Sequence, residues 1–157
     1  MSVAVAEEWV EHPLRDFVSE ARVLLALLLH PSGQVLAQHG FTRAVDVMSA
    51  CALAAAIHAS SGELGKQLDG RPFGALHHAG RERQIFLAPV ATPKHRYIML
   101  AVFDHQSSLG LVQLYFEEFR AALGRAAPTT GVERPPALAS DFEGELNRNL
   151  AALFGRT

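Results

Sequence analysis

Residues 96–103, "RYIMLAVF", run into seven consecutive apolar or aromatic side chains with no polar alternation. Successive strand residues point to opposite faces, so a strand with one wet face alternates and a strand covered on both faces does not. The run therefore reads as a central strand, and the rest of the chain must supply its neighbours and a layer on each side. Asp104, Ser107 and Ser108 follow at once, with side-chain oxygens able to turn the chain and cap a new helix. Leu109, Val112, Phe116, Phe119 and Leu123 then recur at helical spacing, so this helix folds back over the sheet.

The upstream chain supplies the other elements. Glu7 to Ala21 reads as an amphipathic helix, with Val10, Leu14, Phe17 and Val18 on one stripe and Pro13 marking its first turn or a kink. Val23 to Leu29 is a short apolar strand. "HPSG" (His30 to Gly33) is a turn signal, and Gln34 to Gly40 alternates enough to be the returning strand of a hairpin. Arg71 to Gly80 and Arg83 to Pro93 are two further strands around a Gly-Arg-Glu turn, and the first, punctuated by Gly74, suits an edge. The connections look like hairpins rather than parallel crossovers.

Thr42 to Leu68 is the longest helical pattern. Ala50, Leu53, Ile57, Leu64 and Leu68 trace one face and are expected to pack on the core. The opposite side carries Met48, Ala52, Ala55, Ala56, Ala59 and Gly62, small or apolar where a surface helix would place Lys and Glu. One reading is high alanine helix propensity alone. The other is a helix that packs on its own core with one face and on another chain with the ridge of Met48, Ala52, Ala55, Ala56 and Ala59.

Residues 126–139, "AAPTTGVERPPALA", read as a linker between a domain over 1–125 and a tail over 140–157. The tail opens on Ser140-x-x-Glu143, a capping box, and places Phe142, Leu146, Leu150, Leu153 and Phe154 along one stripe. So short a helix is marginal alone in water. It is expected to dock either on its own domain or in a partner's groove.

Composition narrows the function classes. The net charge is −2, which leaves no basic footprint for nucleic acid. One cysteine, Cys51, excludes an intrachain disulfide framework and fits a reducing compartment. Met1 to Glu11 lacks the basic and apolar regions of a secretory leader, and Val23 to Leu29 is too short to span a bilayer. A cytoplasmic protein without membrane insertion is expected. The catalytic templates fail in turn. "GELGKQ" (Gly62 to Gln67) is too short for a phosphate-binding loop, has Gln67 where Ser or Thr is needed, and continues a helix. The eight histidines show no zinc spacing, and His77 and His78, adjacent in a strand, point to opposite sides. No catalytic residue, metal or cofactor is expected, and the chain reads as a set of surfaces rather than an enzyme.

The order helix, hairpin, long helix, three strands, helix resembles the roadblock, or dynein light-chain, domain over residues 7–124. The resemblance rests on the hairpin "LLLHPSGQVLAQHG", the Ala-rich helix "VMSACALAAAIHASSGEL" and the passage "YIMLAVFDHQSSLGLVQLYF", where Ser108, Leu109 and Gly110 match the family's "SLG" step after an Asp. Together with the final "LAALF", it is similar to the MglB-like branch of that family. The resemblance implies an α+β αββαβββα sandwich, with a five-stranded antiparallel sheet, helices on both faces and an added C-terminal amphipathic helix. It further implies a homodimer joined at edge strands around Phe73, Ala75, His77 and Ala79. It implies a small Ras-like GTPase of the MglA type as partner, contacted by the α-helical ridge and by Phe142, Leu146, Leu150, Leu153 and Phe154. Such dimers activate GTP hydrolysis by remodelling switch regions without an arginine finger, in bacterial cell polarity and motility. The alternative is a scaffold of the same fold that binds without changing hydrolysis.

Overall fold

The computed structural model describes residues 8–127, apart from Thr42 and Ala44. The expected C-terminal helix, with its five stripe residues, lies outside the described residues.

The elements are α1 (Glu8–Ala21), β1 (Leu25–Leu29), β2 (Val35–Gly40), α2 (Val47–Asp69), β3 (Leu76–Ala79), β4 (Gln84–Ala91), β5 (Arg96–Phe103) and α3 (Leu109–Ala126). The five strands form one sheet in the order β2-β1-β5-β4-β3, and every neighbouring pair is antiparallel. The chain therefore makes a hairpin at one edge, crosses the sheet through α2, and returns as a meander from the other edge to the middle.

β5 is the centre, as its unbroken apolar run requires. Tyr97, Met99, Ala101 and Phe103 face the layer that α1 and α3 build. Ile98 and Leu100 face α2. β1 divides in the same way, with Ala26 and Leu28 on the first side and Leu25, Leu27 and Leu29 on the second. The α1/α3 layer holds the aromatic packing: Phe17 lies 5.9 Å from Phe119, and Phe86 meets Phe116 edge-on at 5.2 Å between ring centroids.

The step from β5 into α3 divides its polar work among three side chains. Asp104 Oδ1 accepts from Gln106 N–H at 3.0 Å and closes the turn. Ser108 is the N-cap, accepting from Leu111 N–H at 3.2 Å. Ser107 does something its position in sequence does not reveal: its hydroxyl donates to the Ala21 carbonyl at 2.5 Å, across 86 residues of chain. That carbonyl belongs to the last turn of α1, which has no intrahelical partner to offer it, and Arg22 then leaves the helix in the left-handed region at φ 59°. The "SSLG" step thus caps two helices at once and ties α1 to α3.

α2 corrects the sequence reading on two points. It starts at an Asp46 cap, whose Oδ1 accepts from Ser49 N–H at 3.2 Å, rather than at Thr42. It also packs with the opposite face. The buried residues are Cys51, Ala54, Ala55 and Gly65, whereas Leu53 is 63% exposed, Leu64 51% and Leu68 71%. The cause is distance: the sheet already offers Leu25, Leu27, Leu29, Leu87, Ile98 and Leu100 to this side, so only small helix residues fit between them and the α2 backbone. Gly65 shows how tight the approach is. A Cβ there would lie 2.8 Å from the Arg71 carbonyl oxygen and collide with the Phe73 amide as the chain passes under the helix.

Candidate interaction surface

The surface most out of keeping with its exposure is the outer side of α2. Met48, Leu53, Ile57, Leu64 and Leu68 are among the described residues' exposed large hydrophobics, and Phe73 joins them. At 100° per residue, Leu53, Ile57, Leu64 and Leu68 fall within a 60° sector on one flank. Met48, Ala52 and Ala59 lie on the other flank, and Ala56, Ser60, Glu63 and Gln67 run along the crest. A helix apolar on its inner face and on both flanks is one that expects cover on more than one side. A shallow concavity lined by Ala59, Ser60, Glu63, Leu64 and Gln67 crosses the crest.

Of the expected partner residues on α2, Met48, Ala52, Ala56 and Ala59 are exposed. Ala55 is not: it is 8% exposed and packs among the sheet leucines, so it is a core residue and unavailable to a partner. The contrast makes a test within one helix. Ala55→Arg should cost about 3 kcal/mol or more through overpacking and a buried charge, whereas Ala59→Arg should leave stability within about 0.5 kcal/mol. Urea denaturation of both variants reads the difference, and equal stabilities would contradict this placement of Ala55.

The second exposed feature is the edge strand β3. Phe73 and Ala75 lie just before it, and His77 and Ala79 lie on it with their side chains on the α1/α3 side of the sheet, as their pairing with Phe86 and Gln84 requires. His77 Nε2 sits 2.7 Å from Gln84 Oε1, and its ring stacks on Phe103 with centroids 6.1 Å apart. Leu76 and His78 point to the α2 side. Four residues with three exposed side chains make a short, open edge.

Little on this surface suggests chemistry. Among the described residues no cluster of three His, Cys, Asp or Glu could hold a metal. Burial pushes the Cys51 thiol up, away from a reactive thiolate. Burial also lowers the pKa of His58 on the inner side of α2, which favours its neutral form. The Asp46 carboxyl is held below its usual range by the hydrogen bonds from Ser49 that form the α2 cap.

No protein-family model and no curated protein sequence matches the chain. Solved structures do. MglB of Myxococcus xanthus superposes with a TM-score of 0.69 at 25% identity, over 76% of this chain and 96% of that one. The gliding protein mglB of Thermus thermophilus gives 0.69 at 24% identity, over 81% and 97%. A roadblock/LC7 domain from Streptomyces avermitilis gives 0.58 at 14% identity, over 76% and 95%.

The fold is a roadblock fold, and it is MglB-like.

Within that fold, the sequence placed the open edge and the small-residue helix correctly in chain order but did not find the outward stripe of Leu53, Ile57, Leu64 and Leu68. A signal was present: Cys51, Ala54, Ala55, Gly62 and Gly65 recur at helical spacing, and glycine inside a helix costs about 1 kcal/mol relative to alanine. Such a residue is tolerated where another backbone must come close, which marks the stripe through Gly65 as the inner face.

Proposed function

We propose that this protein is a homodimeric regulator of a small Ras-like GTPase, and that it accelerates GTP hydrolysis by remodelling the partner's switch regions without inserting an arginine finger. The observation that carries the reading is the outward apolar stripe of α2 on an MglB-like fold, beside an open sheet edge. The mechanism asks only for binding energy. A surface that binds one switch conformation more tightly than the other shifts the partner's population toward it, and the partner's own groups then meet the phosphate in the productive geometry. The outward stripe of Leu53, Ile57, Leu64 and Leu68, with Met48, Ala52, Ala56 and Ala59 on the other flank and crest, is the surface assigned to the GTPase, the tail residues Phe142, Leu146, Leu150, Leu153 and Phe154 a second contact away from the nucleotide, and the β3 edge the dimer contact. The protein itself acts in the cytoplasm and carries out no chemistry. Single-turnover hydrolysis by the Ras-like GTPase of the same organism tests this: a rise of at least about tenfold, or about 1.4 kcal/mol of barrier, supports activation. Binding without acceleration would replace the activator by a scaffold.

A further inference from the structure

The outer side of α2 stands apart by what it lacks as well as by what it shows. Residues 47–62 contain no Asp, Glu, Lys or Arg, and at 1.5 Å per residue they extend for about 24 Å. The other two helices carry charge along their length: Glu8, Glu11, Arg15, Asp16 and Glu20 on α1, and Glu117, Glu118, Arg120 and Arg125 on α3. On α2 the same exposure goes to Met48, Leu53, Ile57 and the alanines of the crest and small flank. Cys51 and His58 are the titratable side chains of this stretch, and burial favours the neutral form of both, raising the thiol and lowering the imidazole. Charges gather at the two ends instead. At the start, the Asp46 carboxylate accepts from the Ser49 N–H and hydroxyl at 3.2 and 2.9 Å. At the far end, Glu63 pairs with Lys66 at 3.0 Å, and Asp69 and Arg71 follow. A charge-free middle between charged margins is how the buried core and the polar rim of a protein interface are divided.

We infer that the GTPase meets this face with an uncharged, apolar surface, and that the contact holds at low and high ionic strength alike. This rests on the GTPase reading above. Charge decides between occupants. An anionic lipid surface or a nucleic acid is held by free Lys and Arg side chains, and the one such residue on α2, Lys66, is already paired with Glu63. A partner that laid its own carboxylates or ammonium groups over residues 47–62 would strip them of water with no opposite charge to meet, which disfavours a tight complex. Apolar area is what this face has to offer in return. Leu53, Ile57 and Leu64 are its anchors, and the shallow concavity across the crest gives a partner side chain a seat. Affinity then follows shape and buried area, and long-range steering, the part of association that salt screens, contributes little.

The test is titration calorimetry of the full chain with the Ras-like GTPase of the same organism, loaded with a non-hydrolysable GTP analogue, at about 50 mM and about 500 mM NaCl. Kd should change by less than about threefold, whereas a contact built on charge pairs weakens by about tenfold or more over that range. The sign of an added charge gives a second reading. Ala56→Glu and Ala56→Lys, both good helix formers at an exposed position, should each weaken binding by about tenfold or more, because either charge is buried without a partner. Circular dichroism confirms that both variants fold. A tenfold loss with salt, or tighter binding by one of the two variants, overturns the inference and leaves the GTPase as partner. Binding by both variants that matches the wild type overturns it as well, since the contact then lies elsewhere. Light scattering distinguishes the other occupant: if both variants lose the mass of a wild-type oligomer, a second copy covers this face and the inference falls. No binding by the wild type at either salt concentration refutes the GTPase reading, and this inference with it.

Discussion

Gly40→Ala is expected to destabilise the domain by about 3 kcal/mol or more, lowering Tm by roughly 10 °C. Gly40 ends β2 with φ 115°, a region that an L side chain rarely adopts. An added Cβ would also lie 2.8 Å from Leu25 Cα and press into the Leu24 carbonyl oxygen. Neither atom can yield, because both belong to a backbone already fixed on two sides. The Leu24 carbonyl accepts from Phe41 N–H at 2.8 Å, while Leu24 N–H donates to the Val102 carbonyl at 2.8 Å. The clash is thus transmitted from the edge hairpin into the register between β1 and β5, the middle of the sheet. Gly74→Ala is the matched control, since a Cβ there meets nothing within 4 Å and its φ is not positive. Thermal unfolding of the two variants should separate them widely, and a Gly40→Ala loss below about 1 kcal/mol would show that the hairpin can shift to accommodate the methyl.

The second large effect concerns association and leaves the fold alone. Leu53→Glu with Leu64→Glu replaces two residues that are 63% and 51% exposed. Glutamate is nearly as good a helix former as leucine, so the isolated domain should keep its stability to within about 1 kcal/mol. Any contact that buries this stripe loses two apolar anchors and must desolvate two carboxylates. Each anchor at the centre of an interface is worth about 2 kcal/mol, so affinity should fall by at least about a hundredfold. Light scattering reads the change in mass, and circular dichroism confirms the fold. If the double variant assembles like the wild type, the stripe is not where association happens.

These two expectations show what was legible in the chain and what was not. β5 announced its central place because a strand buried on both faces cannot alternate, and Leu109, Val112, Phe116, Phe119 and Leu123 announced α3 because one buried stripe stands out against a polar remainder. α2 offered no such contrast. It is apolar on its large-residue flank and on its small-residue face, so periodicity reveals both stripes without saying which is inside. Size decides it: the sheet below α2 is already filled with leucine and isoleucine, and close backbone approach selects alanine, cysteine and glycine for the inner face. Ala55 therefore lies inside, where its spacing alone suggests the outer ridge, and Leu53 and Leu64 lie outside. The role of Ser107 was illegible for a different cause, since its bond to the Ala21 carbonyl joins residues far apart in sequence, and no local pattern encodes it. The short edge β3 was recognised from Gly74 and from its place before a turn, although the strand itself is confined to Leu76–Ala79.

The most direct test of the account is single-turnover GTP hydrolysis by the Ras-like GTPase of the same organism, measured with an excess of wild-type protein and with an excess of the Leu53→Glu, Leu64→Glu variant. The account predicts acceleration of at least about tenfold by the wild type and a rate indistinguishable from the GTPase alone with the folded variant. Acceleration that survives in the variant would contradict the assignment of function to the outer face of α2, and no acceleration by the wild type would contradict the activator itself.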